Sequence, residues 1–281
     1  MINNSDIKII DDIENYRTTG KNIKTIIENT VNTWQEKRTN SSKQNDTKLG
    51  KLAEDVFASY IKQNMEHITY LSYDDIRTNN FKKHAPFDGL LFNNKIINIS
   101  SLKKIIEEIN SEITAGDKWG KISDELKLKC YKEHIFTTEI KSTRVAKRHK
   151  NNDGSVIFDA LLKDDFLEYP KYLRKDAYDS IHNYEEYANF CKKYRGFICK
   201  SDDCVSDIQK EELLNMRHLY IRIYIDESNL TAYLIGCISN KTFINNSVIK
   251  KMPQKEKSEL ALYIATPLTN GVNIDKIANI K

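Results

Sequence analysis

The sequence has no apolar run near the roughly 18 residues that a membrane-spanning helix requires, so no membrane association is expected. Its opening, Met1-Ile2-Asn3-Asn4-Ser5-Asp6, lacks the basic start and apolar stretch of a secretory signal, and the expected location is cytoplasmic. The phosphate loops GxxxxGKS and GxxxxGKT are absent, which removes ATP-driven translocation from the functions to consider. The five cysteines (Cys130, Cys191, Cys199, Cys204, Cys237) are an odd number in a long chain, which argues against a disulfide framework. Cys191, Cys199 and Cys204 cluster, but without a CxxC pair they lack the spacing of most structural zinc sites and read as ordinary thiols. Neither charge dominates. Lys and Arg number 44 against 40 Asp and Glu, and the net +4 points only weakly to an anionic partner. No internal repeat and no sharp domain boundary is visible.

What is present suffices for one large domain, or one domain with an added lobe. The 281 residues are 40% apolar, while 30% charged residues and a mean hydropathy of −0.60 mark a soluble protein. Ile23, Ile26, Ile27, Val31 and Trp34 recur at helical spacing and predict an amphipathic helix over 21–37. The polar run Thr39 to Asn45 has nothing to bury and reads as a linker. Leu49, Leu52, Ala53, Val56, Phe57, Tyr60 and Ile61 then define a second helix, with Asp46 or Thr47 as its N-cap. Strands are expected near 67–73, 85–92, 134–141, 218–225 and 231–238, the last two joined by a turn at Asp226 to Asn229. Helices are expected near 101–115, 123–133, 180–195 and 273–280. The fold class is therefore α/β, a central mixed sheet flanked by helices. Residues 1–45 would form an N-terminal helical extension and linker, and 46–281 the main domain, with a helical insertion near 101–133.

Three acids and a lysine stand at informative places. In Thr138-Glu139-Ile140-Lys141 on the expected strand, Glu139 and Lys141 point the same way, about 7 Å apart. A carboxylate that can hold a hard cation, beside an amine that can orient water or stabilise phosphate charge, suits phosphodiester hydrolysis. Asp88 interrupts the apolar Phe87 to Phe92 and would be costly to bury unless paired or coordinated. Gly89 beside it permits a close backbone approach. Glu54 lies at the flank of its helix's apolar stripe, near the angles of Phe57 and Ile61, and so could face the sheet edge.

In this order (helix Glu54, then Pro86-Phe87-Asp88, then Glu139-Ile140-Lys141) the sequence resembles the PD-(D/E)XK nuclease superfamily. The motif region is roughly 47–145; Phe87 between Pro86 and Asp88 is a variant spacing, and the long gap from Asp88 to Glu139 implies an inserted segment. The resemblance implies a restriction-endonuclease-like core and a type II enzyme acting on double-stranded DNA as a homodimer at a two-fold symmetric site. It also implies Mg²⁺, with Mn²⁺ as substitute, held by Asp88, Glu139 and the Ile140 carbonyl, with Lys141 positioning water and Glu54 in support.

The basic runs Lys82-Lys83 and Arg144, Lys147-Arg148-His149-Lys150 flank these residues and are expected to meet the DNA backbone. Three other readings stand beside this one: a structure-specific repair, recombination or mobile-element nuclease, a non-catalytic DNA-binding protein on the same fold, and a zinc-stabilised interaction protein. The recognition sequence, cut stagger and number of metal ions do not follow from the sequence.

Overall fold

The structure, a computed structural model, describes residues 1–16, 40–116, 120–168, 216–254 and 259–279. The helices expected over 21–37 and 180–195, and Cys191, Cys199 and Cys204, lie outside the described residues. Cys130 and Cys237 are buried free thiols. Among the described residues no helix is long and apolar enough to cross a membrane.

The chain enters through β1 (Lys8–Ile10), helix α1 (Asn40–Asn64), β2 (Ile68–Ser72) and the single turn α2 (Tyr73–Ile76). It continues through β3 (Gly89–Asn93), helices α3 (Ile99–Ala115) and α4 (Asp124–Lys132), β4 (Ile135–Arg144) and β5 (Asp165–Glu168). The hairpin β6 (Leu219–Asp226) and β7 (Thr231–Ser239) follows, then β8 (Val248–Gln254) and β9 (Glu259–Pro267). The main sheet has six strands in the order β1-β7-β6-β4-β3-β2, and a second sheet has three in the order β5-β9-β8. Within the main sheet β4 and β6 run parallel, and the other neighbours are antiparallel. A mixed α/β sheet flanked by helices is thus the observed architecture.

Alternation along the strands divides the main sheet into two faces. Leu91, Phe136, Ile140, Ile221, Ile223 and Leu234 pack with Leu49, Ala53, Val56, Phe57 and Ile61 of α1. The opposite face has two covers. Leu90, Phe92 and Ile135 lie with Ile105 and Ile109 of α3 and with Leu126 and Cys130 of α4. Tyr220, Tyr224 and Ile235 lie with Phe166 of β5 and Ile264 of β9. β4 runs beneath the seam between these covers.

One expectation needs correction. Residues 40–45, read as a linker, are the opening turns of α1, so Asp46 and Thr47 stand inside the helix. Asn and Ser cost only a few tenths of a kcal/mol each in a helix, roughly, and the cooperative turns that follow carry them. Within the stretch assigned to the extension, Lys8–Ile10 form β1 and pair with β7, Lys8 opposite Leu234.

Candidate active site

The site forms where β4 loses a neighbour. β3 begins at Gly89, opposite Thr138, so from Glu139 onward that side of β4 has no strand to pair with. The Asp88 side chain fills the first vacant position, its Oδ2 accepting the Ile140 N–H at 2.6 Å. Its main chain is pinned as well: Asp88 N–H donates to the Thr138 carbonyl and the Asp88 carbonyl accepts from Tyr73 N–H, both at 2.9 Å. Pro86 has no N–H to extend the ladder, and the strand expected from residue 85 starts only at Gly89. A Cβ at Gly89 would collide with the ring of Tyr70, which covers it.

Glu139 and Lys141 leave β4 on the face away from α1 and meet, Lys141 Nζ donating to Glu139 Oε1 at 2.5 Å. A residue that sequence reasoning missed supplies a second cation. Arg217, two residues ahead of β6, places Nε 3.0 Å from Glu139 Oε2 and donates from the same nitrogen to the Pro86 carbonyl at 3.0 Å. Its Nη1 lies 3.4 Å from Oε2 of Glu168 at the end of β5. Burial pushes the Glu139 pKa up, but the charges of Arg217 and Lys141 outweigh it and hold the carboxyl at about 2. Burial opposes the Lys141 charge, yet Glu139 and Glu168 lift it to about 12, so Lys141 is an ammonium and not a base at neutral pH.

Glu54 approaches from the α1 side. Lys51, one turn earlier, donates to both of its oxygens at 3.0 and 2.8 Å and also pairs with Asp74, which in turn lies 3.0 Å from Arg77. Burial raises Glu54, Lys51 pulls it back, and Asp88 and Asp74 push it up again, leaving it at about 8. Asp88 is driven to about 7 by burial first and the Glu139 charge second, against the Ile140 N–H and Lys141. The structure therefore sets Lys141 against Glu139 and Asp88 on the Ile140 N–H, with Glu54 near enough to Asp88 for its charge to act on it.

Three observations bear on whether a divalent cation suits this cluster. Five acids (Glu54, Asp74, Asp88, Glu139, Glu168) and four cations (Lys51, Arg77, Lys141, Arg217) crowd together, and the raised values of Glu54 and Asp88 mark two carboxyls that resist ionising without a further positive charge. The Tyr70 hydroxyl is buried beside Thr138, close enough to Glu54 and Asp88 for their charges, after burial, to raise its pKa. An extended residue's N–H and C=O leave a strand on the same side, so the Ile140 carbonyl faces the Asp88 edge. All available donors are oxygens, the set a hard cation prefers. Among the described residues no group of three or more His, Cys, Asp or Glu is gathered for a metal. An ion here would rest on Asp88, Glu139 and the Ile140 carbonyl and complete its shell with water and substrate oxygens, as Mg²⁺ commonly does.

The basic residues behave differently from expectation. Lys82 is exposed on the loop leading to Asp88, while Lys83 donates to the Gly116 carbonyl. Arg144 is tied to Glu227 at 2.7 Å and Asp46 at 3.3 Å. Lys147 is exposed, and Arg148, also exposed, lies 3.2 Å from Asp164. His149 is 0% exposed, accepts from Ala146 N–H and packs edge-on to Tyr224, so it is a core residue and not a backbone contact. Lys150 is bound by Asp226 at 2.7 Å and Ser228 at 2.8 Å. Sequence proximity to Lys141 gave no sign of the acids that the 226–228 turn and Asp164 bring to these cations.

Comparison with protein families, with curated proteins and with solved structures finds no match to this chain.

Proposed function

We propose that the chain is a divalent-metal-dependent endonuclease with a restriction-endonuclease-like core, hydrolysing phosphodiester bonds of double-stranded DNA in the sequence-specific, type II manner. The observation that carries this reading is the meeting of Glu54, Asp88, Glu139 and Lys141 at the unpaired edge of β4. Their chain order is that of the PD-(D/E)XK superfamily, and a buried Asp88 carboxyl opposed by the Glu139 charge suits a cation.

Asp88, Glu139 and the Ile140 carbonyl would hold Mg²⁺ or Mn²⁺. When bound, such an ion stabilises the extra negative charge of the phosphoryl transition state and lowers the pKa of the attacking water. Lys141, an ammonium beside Glu139, donates to that water or to a phosphate oxygen and fixes its direction of attack. Glu54, held by Lys51, orders solvent beside Asp88. The three bonds to Asp88 and the opposed charges around Glu139 set these groups before substrate arrives, so little reorganisation falls on the reaction itself. A two-fold symmetric dimer would match a palindromic site.

Incubation of the protein with plasmid and Mg²⁺, followed by sequencing of the fragment ends, tests this. Defined ends are expected with Mg²⁺ or Mn²⁺, little cutting with Ca²⁺, and none in EDTA or with Asp88→Ala. Full cutting in EDTA, or by Asp88→Ala, would overturn the reading.

A further inference from the structure

We propose that Arg217 is a resident counter-ion of the metal site, which a divalent cation must displace from Glu139 and which Glu168 steadies once displaced. The inference rests on the endonuclease reading, because it concerns the ion that Asp88 and Glu139 would share.

Both Glu139 oxygens already face a cation, Lys141 Nζ at 2.5 Å from Oε1 and Arg217 Nε at 3.0 Å from Oε2. A metal on Oε2 would bring its positive charge within a few ångströms of the guanidinium, and like charges so close repel, so binding there works against the Arg217 contact. The two contacts are unequal. Lys141 makes a directed hydrogen bond to Oε1. The single hydrogen on Arg217 Nε is already donated to the Pro86 carbonyl, so its hold on Glu139 is ionic and lacks an aligned hydrogen bond. Arg217 is thus the contact that gives way.

Arg217 also has somewhere to stay. Its Nη1 faces Glu168, whose side chain is 8% exposed, and the Pro86 bond does not involve Glu139. When Glu139 turns to a metal, the guanidinium keeps a directed acceptor and a buried carboxylate, avoiding the strong penalty of an unpaired buried charge. Glu139 likewise passes from one cation to another and is never left bare. Cation and arginine thus compete for one oxygen. Because Pro86 lies two residues before Asp88, the same guanidinium ties together the segments that bear the two ligand acids.

The test is Mn²⁺ binding to the full chain without nucleic acid, by calorimetry or by the electron paramagnetic resonance of free Mn²⁺. Wild type is compared with Arg217→Gln, Glu168→Gln and Asp88→Asn, each checked for its fold by circular dichroism and thermal melting. Arg217→Gln is expected to bind Mn²⁺ roughly fivefold or more tightly, the size of a typical coupling between two linked sites. Glu168→Gln is expected to bind it more weakly, because Arg217 then leans on Glu139 alone. A merely structural role for Arg217 would weaken binding in Arg217→Gln, and that result, or no change in either variant, overturns the inference. Should Arg217→Gln fail to fold, Glu168→Gln decides alone, and unchanged or tighter binding there is the refuting outcome. Asp88→Asn separates the two levels. If wild type shows no Mn²⁺ binding that Asp88→Asn removes, the endonuclease reading and the inference fall together. If it does, and Arg217→Gln leaves the affinity unaltered or weaker, only the inference falls.

Discussion

Asp88 is bonded to the main chain on three sides while its charge is opposed by Glu139, and the two facts give opposite consequences for neutralising it. An Asn keeps an acceptor for the Ile140 N–H but loses its charge, so on the proposed endonuclease reading Asp88→Asn should abolish cleavage. In the metal-free protein it should stabilise. The folded Asp88 titrates at about 7 against an ordinary 3.8, so the folded state holds its proton through that window and stability falls as pH rises across it. At pH above that range and in EDTA, Asp88→Asn should melt at least about 2 °C higher than wild type; a lower melting temperature would contradict the repulsion argument. Glu54→Gln, which touches the reaction only through solvent and Lys51, should lower the cleavage rate by about 10–100-fold, less than loss of Asp88. An unchanged rate would return Glu54 to a structural role. These acids and Lys141 were legible because their signature is local: a two-residue spacing, an acid in an apolar run, a flank position on a helix. Arg217, Glu168, Tyr70 and Lys51 were not, since each acts on a partner brought close only by strand register or helix packing. The acids that pair Arg148 and Lys150 were not legible for the same reason, as Asp164 and Asp226 come from elsewhere in the chain.

The parallel pairing of β4 with β6 carries the site, because it sets Arg217 beside Glu139. His218 fastens its first rung. Its Nδ1 accepts the Thr137 N–H at 3.0 Å, the His218 backbone N–H donates to Thr137 Oγ1 at 3.1 Å, and Tyr131 and Phe136 wall the ring. Burial, helped by the Lys127 charge, lowers its pKa from 6.5 to about 4. Protonation would turn Nδ1 into a donor facing another donor. The sign follows: between those two values the unfolded chain binds the extra proton, so stability is full above 6.5 and falls as the pH drops toward 4. The contribution is roughly 3 kcal/mol. Urea unfolding across that range should show a steeper acid loss in wild type than in His218→Gln, and an imidazole resonance titrating near 6.5 would refute it. At the other end of β6, Lys150 neutralises Asp226, which is 3% exposed. Lys150→Ala should cost about 1–3 kcal/mol by stranding that carboxylate, whereas exposed Lys147→Ala should stay within about 0.5 kcal/mol. Equal losses would restore both lysines to a solvent-facing loop. β2, β3, β4, β6 and β7 were legible as strand-like stretches, β6 by its alternation and β3 as an apolar run. β1, β5, β8 and β9 were not, and the polar opening of α1 looked like a linker because helix continuation there depends on the turns that follow.

At the scale of the whole molecule, the beginning and end of the described chain close on one another across the main sheet. Ile2 N–H donates to the Thr269 carbonyl at 3.1 Å, Asn273 donates to Asp6 at 3.0 Å, and Lys8 pairs with Asp275 at 2.6 Å. Asp275 also accepts from the hydroxyl of Tyr60 on α1 at 2.5 Å, so the helix that carries Glu54 is tied to both ends. Ile13, 1% exposed, packs with α1, β6, β7 and the Ile274–Asn279 turn, while Ile2 and Ile7 enter the core on the opposite face. An appendage could be shortened without loss, but a segment contributing to two cores cannot. Ile13→Ala should lower the unfolding free energy by about 2–5 kcal/mol, the cost of a buried cavity, with a matching fall in urea midpoint. Removal of residues 1–16 strips β1 and those buried isoleucines from both faces at once and should abolish the cooperative melt. A truncated protein that still melts cooperatively near the wild-type temperature would show that the stretch is an extension after all. The sequence suggested an extension because the long intervening segment separates these residues from the main motif region, and no local pattern reveals that Lys8 to Ile10 finds β7 more than two hundred residues later.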